Sequence, residues 1–181
     1  MSKDLLTGNK VSLRALEPAD VERLYEWEND PSVWGVSNTL APWSRYQLEQ
    51  YVMASDQDII AARQLRLMID VVQEAPPVIT IGTIDLFDFD SLHLRAGVGI
   101  LICEPYRKQG YAFEALSLLI LYVKKTLHLH QLYCNISRAN TNSINLFQKL
   151  GFVRCGEKKE WINFGDRWED EWMFQKILPH V

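Results

Sequence analysis

Residues 10–16 (KVSLRAL) alternate apolar and polar positions, the period of a strand. Pro18, tolerated in a first helical turn, opens a helix that repeats Val21, Leu24, Tyr25 and Trp27 on one face. That helix ends by Asp30, because Pro31 disfavours helix in the residue before it. Residues 32–42 are irregular, and residues 44–55 place Leu48, Tyr51 and Val52 at helical spacing. From residue 65 the period changes to two. Residues 65–72, 78–87 and 93–103 read as three strands of an antiparallel meander, with the acidic residues 88–92 as a hairpin connection. Residues 110–126 are apolar almost all round, which predicts a largely buried helix. A strand at 132–137, a helix at 141–150 closed by Gly151, and two strands at 152–164 and 167–177 complete the chain. The order is β-α-α-β-β-β-α-β-α-β-β. The strand–helix–strand unit in its middle forms a parallel crossover with strands on either side. The expected fold is a mixed, mostly antiparallel α/β (α+β) sheet of about seven strands flanked by four helices.

Composition narrows the function classes. The chain has 181 residues, 48% of them hydrophobic and 23% charged, enough for one domain spanning residues 1–181 and its own core. A net charge of −4 argues against a dedicated nucleic-acid binder. The three cysteines, Cys103, Cys134 and Cys155, are far apart and lack CxxC spacing, which supports neither a disulfide scaffold nor a zinc site. His128 and His130 have no evident third ligand, so no metal is assigned. The N-terminal segment carries no apolar signal region, and the longest apolar run is far short of the ~18 residues that span a bilayer. A cytoplasmic protein without membrane attachment is expected.

Two segments carry chemistry. The first is EPYRKQGYA, residues 104–112, between a strand and the buried helix. A loop running into a helix N-terminus presents unpaired N–H groups and the positive end of the helix dipole, a ready anion site. Gly110 permits close backbone approach, Ala112 is small, and Arg107 and Lys108 add positive charge. Read alone, the same residues also fit a plain helix start with exposed basic side chains. The second segment is NTNSINLFQKLGF, residues 140–152, in which Asn140 or Asn142 serves either as a helix cap or as a ligand contact.

Together, in this order and about 30 residues apart, the segments resemble the GCN5-related N-acetyltransferase superfamily. R-x-x-G-x-A matches its pyrophosphate loop, and N-x-x-S-x-x-x-F-x-K-x-G-F matches its second cofactor segment. The likeness runs from about residue 10 to residue 177 and is greatest to the branch of the spermidine and ribosomal-protein N-acetyltransferases. It implies an acyl-CoA N-acyltransferase-like fold and acetyl-CoA as cosubstrate. The pantetheine arm would pair with the strand edge at residues 99–103, including Ile100, Leu101 and Ile102. The pyrophosphate would lie on the amides of Arg107, Lys108, Gln109, Gly110, Tyr111 and Ala112. Asn140, Asn145 and Phe147 would face the cofactor from the other side. An amine would attack the thioester directly, and strand N–H groups would polarise its carbonyl.

Two departures bear on mechanism. Phe147 stands where relatives often have the Tyr that protonates the leaving thiolate, and Gly97 stands where they often have Glu. Neither role carries over. Asp85 matches a Glu of the spermidine enzymes, which implies a role in holding the amine or relaying its proton. Glu28 and Asp30, with Trp34 and Trp43, lie in the region that forms one wall of the acceptor site in such enzymes. A small primary amine, with polyamines favoured, is the expected acceptor. The alternatives are a protein N-terminus, as in the ribosomal-protein branch, or a non-catalytic acyl-CoA-binding module. A homodimer is compatible with the many C-terminal tryptophans.

Overall fold

The computed structural model describes residues 5–31, 34, 40–55, 58–73 and 76–179. The irregular stretch expected at 32–42 therefore falls largely outside the described residues. Seven strands form one sheet: β1 (Val11–Ala15), β2 (Leu65–Val71), β3 (Thr80–Asp90), β4 (Arg95–Ile102), β5 (Gln131–Ser137), β6 (Val153–Asn163) and β7 (Trp168–Ile177). Their spatial order is β1-β2-β3-β4-β5-β7-β6, antiparallel throughout except for the parallel pair β4–β5. The four helices read from the sequence are α1 (Val21–Glu28), α2 (Arg45–Met53), α4 (Tyr111–Tyr122) and α5 (Thr141–Lys149). The described residues also include a short turn, α3 (Ile59–Ala62), whose N-cap Asp58 accepts from the Ile60 N–H at 2.9 Å. A single turn is too short to show a periodic face in sequence.

Local chemistry explains the boundaries. Pro18 opens a 3₁₀ turn (Pro18–Asp20) rather than the α-helix itself, and the Asp20 carboxylate accepts from the Glu17 N–H at 2.9 Å. Ser44 caps α2 in a reciprocal box with Gln47. The connection expected at 88–92 is shorter than that, because β3 continues to Asp90 through an irregularity between Phe87 and Asp90.

The sheet separates two apolar layers. On one face Leu24, Leu48 and Val52 of α1 and α2 pack on Met68. On the other, Leu116, Leu119, Ile144 and Phe147 of α4 and α5 pack on Ile84, Leu86, Val98, Leu132 and Phe174. Buried charge sits on the α1/α2 side. Arg14 donates to Asp20 at 2.6 Å and to Asp70 at 2.7 Å, so both buried carboxylates share one guanidinium. Helices α1 and α2 pack against Leu16 and Met68 at the β1–β2 end of the sheet.

Candidate active site

The β4–β5 ladder holds for three residue pairs, Arg95↔Gln131, Ala96↔Leu132 and Gly97↔Tyr133. Beyond Gly97 the strands part, β4 remaining paired with β3 and β5 with β7. The Cys103 N–H donates to the Ile81 carbonyl at 2.8 Å, and the register continues as Leu101↔Thr83 and Gly99↔Asp85. Antiparallel alternation therefore commits Gly99 and Leu101 to β3 and turns the N–H and C=O groups of Ile100 and Ile102 into the split. This refines the expected edge. Ile100 and Ile102 offer main-chain groups, whereas those of Leu101 are spent on the sheet. The Ile102 carbonyl already accepts from Arg107 Nε at 2.8 Å.

The split leads to the loop before α4. Gly110, with φ of +88°, is the N-cap of this helix, and Lys108 is also left-handed at +62°. A side chain at Gly110 would be strained and would approach the Lys10 ammonium. The first N–H groups of α4, beginning with Tyr111 and Ala112, have no acceptors within the helix. Arg107 folds back onto the strand end, and Gln109 donates to the Pro105 carbonyl at 2.8 Å. A further cation comes from a distant part of the chain: Lys10 Nζ donates to the Gln109 carbonyl at 3.0 Å. Glu114, in the first turn of α4, fixes that segment by accepting from the N–H groups of Asn9, Lys10 and Val11 at 3.0, 2.6 and 2.8 Å. Nothing in the local sequence around residue 10 signals this. Only the pairing of β1 beside α4 creates it.

On the second cofactor segment, the Asn140 side chain caps α5 by accepting from the Ser143 N–H at 3.1 Å. Asn145 is exposed one turn on. Phe147, expected to face the cofactor, is packed inward. It is 3% exposed, lies in the main core, and meets the Phe152 ring edge-on at 5.0 Å. Its apolar ring satisfies the helix packing, so it presents no open face of its own.

Two of the carboxylates expected on the acceptor side, Glu28 and Asp85, share one cation. Arg66 stands directly across the β2–β3 ladder from Asp85 and donates to it at 2.6 Å, while its Nη1 reaches Glu28 at the end of α1 at 2.7 Å. The Tyr51 ring lies 5.3 Å below the guanidinium. Burial pushes the Asp85 carboxyl up, against the pull of Arg66. Asp85, expected to hold the amine or relay its proton, is thus ion-paired to Arg66, and Glu28 shares that partner. Asp30 is exposed just beyond Glu28. Gly97 lies beneath the Phe87 ring, which fills the space a Cβ would need. The Glu of relatives has no room here. Gly99, opposite Asp85, has only a Phe87 ring atom at 3.9 Å from the direction a side chain would take.

A strand edge with free main-chain groups, running into a glycine-bearing helix start ringed by Lys10, Arg107 and Lys108, fits a long amide-containing thioester with a diphosphate. That arrangement defines a transferase using an acyl-CoA cosubstrate. The chain belongs to the acetyltransferase (GNAT) domain family, whose profile matches residues 10–153. It is 27% identical over 154 residues to the spermidine N(1)-acetyltransferase of Escherichia coli strain K12, covering 83% of this chain and 77% of the relative. It is 32% identical over 82 residues to the [ribosomal protein uS5]-alanine N-acetyltransferase of the same strain, covering 45% and 42%. Its fold matches the crystal structure of spermidine N-acetyltransferase from Vibrio cholerae in complex with CoA and spermine, with a TM-score of 0.80 and 22% identity. That match covers 92% of this chain and 95% of the other. The protein is an acetyl-CoA-dependent acetyltransferase, and acetyl-CoA is its cosubstrate. Among the described residues no helix is long and apolar enough to cross a membrane.

Proposed function

We propose that the chain is a single N-acetyltransferase domain, cytoplasmic, that transfers the acetyl group of acetyl-CoA to a primary amine of a polyamine. The observation that carries the cofactor half of this reading is the split beyond Gly97 leading to the Gly110 loop. The edge groups of Ile100 and Ile102 would hold the pantetheine, and the amides at 107–112, with Lys10, Arg107 and Lys108, the phosphates. Asn140 and Asn145 would border the cofactor from α5. On the acceptor side, Glu28 and Asp85 place two carboxyl groups on one guanidinium, and Asp30 adds a third acidic side chain. The excess of carboxyl groups suits a polycation better than a neutral acceptor. The aromatic residues Trp161, Phe164 and Trp168 remain exposed around the β6–β7 turn and suit burial in a homodimer, which sedimentation would reveal.

The test is an acetylation assay with spermidine, spermine and N-terminal peptides, run beside calorimetry with acetyl-CoA. Spermidine turnover is expected, with affinity that weakens as salt screens the carboxyl groups. Turnover of an alanine-initiated peptide and of no polyamine would favour the second reading. That reading draws on the 32% identity to the ribosomal-protein enzyme. Binding of acetyl-CoA with no acceptor turned over would leave an acyl-CoA-binding module.

A further inference from the structure

Phe147 and Gly97 leave the reaction without an evident proton-transfer group, yet the structure builds one at the vertex of the split. Tyr133 is the β5 residue of the last β4–β5 pair, directly opposite Gly97. Its neighbours Leu132 and Cys134 are buried in the α4/α5 layer, so alternation sends the Tyr133 ring to the opposite face, the side of Phe87. Phe87 occupies the room above Gly97 and meets Tyr133 edge-on, with ring centroids 5.9 Å apart at 82°. The glycine thus makes space for the ring that fixes Tyr133. The phenol donates to Asp88 Oδ2 at 3.2 Å.

Asp88 is reached only because β3 is irregular between Phe87 and Asp90, and Asp88 takes φ of +49°. In a regular strand it would point away from Phe87 and Tyr133, and such irregularities commonly re-aim a side chain beside a site. Tyr133, Asp88 and Asn135 line a cavity of about 640 Å³ on this face of the sheet. Arg63, Arg95 and Lys158 stand around its rim.

We propose that Tyr133, held by Phe87 and hydrogen-bonded to Asp88, is a catalytic proton-relay residue of the acetyl transfer. The inference rests on the acetyltransferase reading. The attacking nitrogen forms the new N–C bond as a neutral amine. The nitrogen then carries a positive charge and an acidic proton. Tyr133 takes that proton while passing its own to Asp88, the C–S bond breaks, and the electron pair leaves with the CoA thiolate. Asp88, exposed to the cavity, returns its proton to water, so the products are the amide, the thiolate and one proton.

Burial and the neighbouring Asp88 push the Tyr133 phenol up to about 12, against Arg95 and Arg63. It therefore remains a phenol through the working pH range and acts by exchanging protons rather than as a standing tyrosinate. The charged groups facing it are Asp88 and Asp90 from β3, Arg95 from β4, Arg63 after α3 and Lys158 from β6. Lys158 is already paired with Glu171 at 2.8 Å.

The test uses Tyr133→Phe, which keeps the ring and its contact with Phe87, and Asp88→Asn. Both should lower kcat by about a hundredfold or more, the range of general acid–base catalysis. Acetyl-CoA affinity and melting temperature should stay as in the wild type. A CoA derivative carrying a short ω-aminoalkyl chain through an acetyl link gives a reading independent of turnover. It should bind each variant several-fold more weakly, whereas acetyl-CoA should not. Undiminished kcat in Tyr133→Phe would overturn the relay while leaving the acetyltransferase reading intact. Wild-type protein that binds acetyl-CoA but acetylates no amine would overturn both.

Discussion

Arg66 faces Asp85 across the β2–β3 ladder and binds it from Nε at 2.6 Å, and the same guanidinium holds Glu28. The relationship joins two carboxylates proposed for the acceptor side into one ion cluster that links the end of α1 to the middle of the sheet. Its consequences separate by variant. Removing Arg66 leaves two carboxyl groups facing each other in a partly buried site, a loss on the order of 3–5 kcal/mol. Asp85→Asn leaves Arg66 paired with Glu28 and removes a charge that burial disfavours, so its cost should be about 1–2 kcal/mol. Urea denaturation of Arg66→Gln and Asp85→Asn should give that order. Asp85→Asn also removes one carboxyl group from the acceptor side, so kcat/KM for spermidine should fall a few-fold while acetyl-CoA affinity holds. An unchanged spermidine KM would remove Asp85 from the acceptor field.

Gly110 and Lys10 test the proposed phosphate cradle from opposite directions. Gly110→Asp puts a carboxylate at a left-handed position with φ of +88°, and acetyl-CoA affinity should fall by at least about tenfold. Lys10→Met removes a cation whose backbone stays fixed by Glu114, so affinity should fall less and lose part of its salt dependence. Calorimetry at two salt concentrations reads both. If Gly110→Asp binds acetyl-CoA normally, the phosphates lie elsewhere.

Gly97 and Phe87 should be coupled. Gly97→Ala alone collides with the Phe87 ring and should cost about 1–3 kcal/mol, as overpacking does. With Phe87→Leu in the background the penalty should shrink. A double-mutant cycle by thermal melting checks this, and additive effects would show that the two do not share the space.

Phe147→Tyr, which restores the hydroxyl common among relatives, should not raise turnover. The ring is 3% exposed and packed on Phe152. A hydroxyl added there without a partner costs about 1–3 kcal/mol. Melting temperature should drop. A rise in kcat would show that the ring edge reaches the split after all.

The Arg14 cluster sets an acid limit on stability. Burial works against the charged form of Asp20, but hydrogen bonds from Arg14 and the Glu17 N–H, with the charges of Arg14 and Arg23, hold its carboxyl below the usual value. The unfolded chain, with Asp near ~3.9, then binds more protons than the folded one in this window. The contribution is complete above the unfolded value and is lost as pH falls through the folded one. Melting temperature should therefore decline below about pH 4, and the decline should be shallower in Asp20→Asn.

Much of the fold is legible along the chain because its signals are local. Alternation marks the strands, Ser44 and Gln47 begin α2, and the apolar run from Phe113 announces a buried helix. The glycine-bearing start of α4 is legible for the same reason, since a glycine before a helix N-terminus is a contiguous feature. The acceptor side is not, because its chemistry depends on which strand lies beside which. Asp85 looks uncommitted until β2 places Arg66 opposite it, and Lys10 has no role until β1 runs beside α4. Tyr133 is one aromatic among many until the β4–β5 ladder stops at Gly97 and an irregular turn of β3 carries Asp88 to its hydroxyl. Sequence periodicity determined most of the elements, and a short contiguous motif suggested the phosphate loop. Register and strand order, which are non-local, decided which charges cancel and which side chains meet at the split.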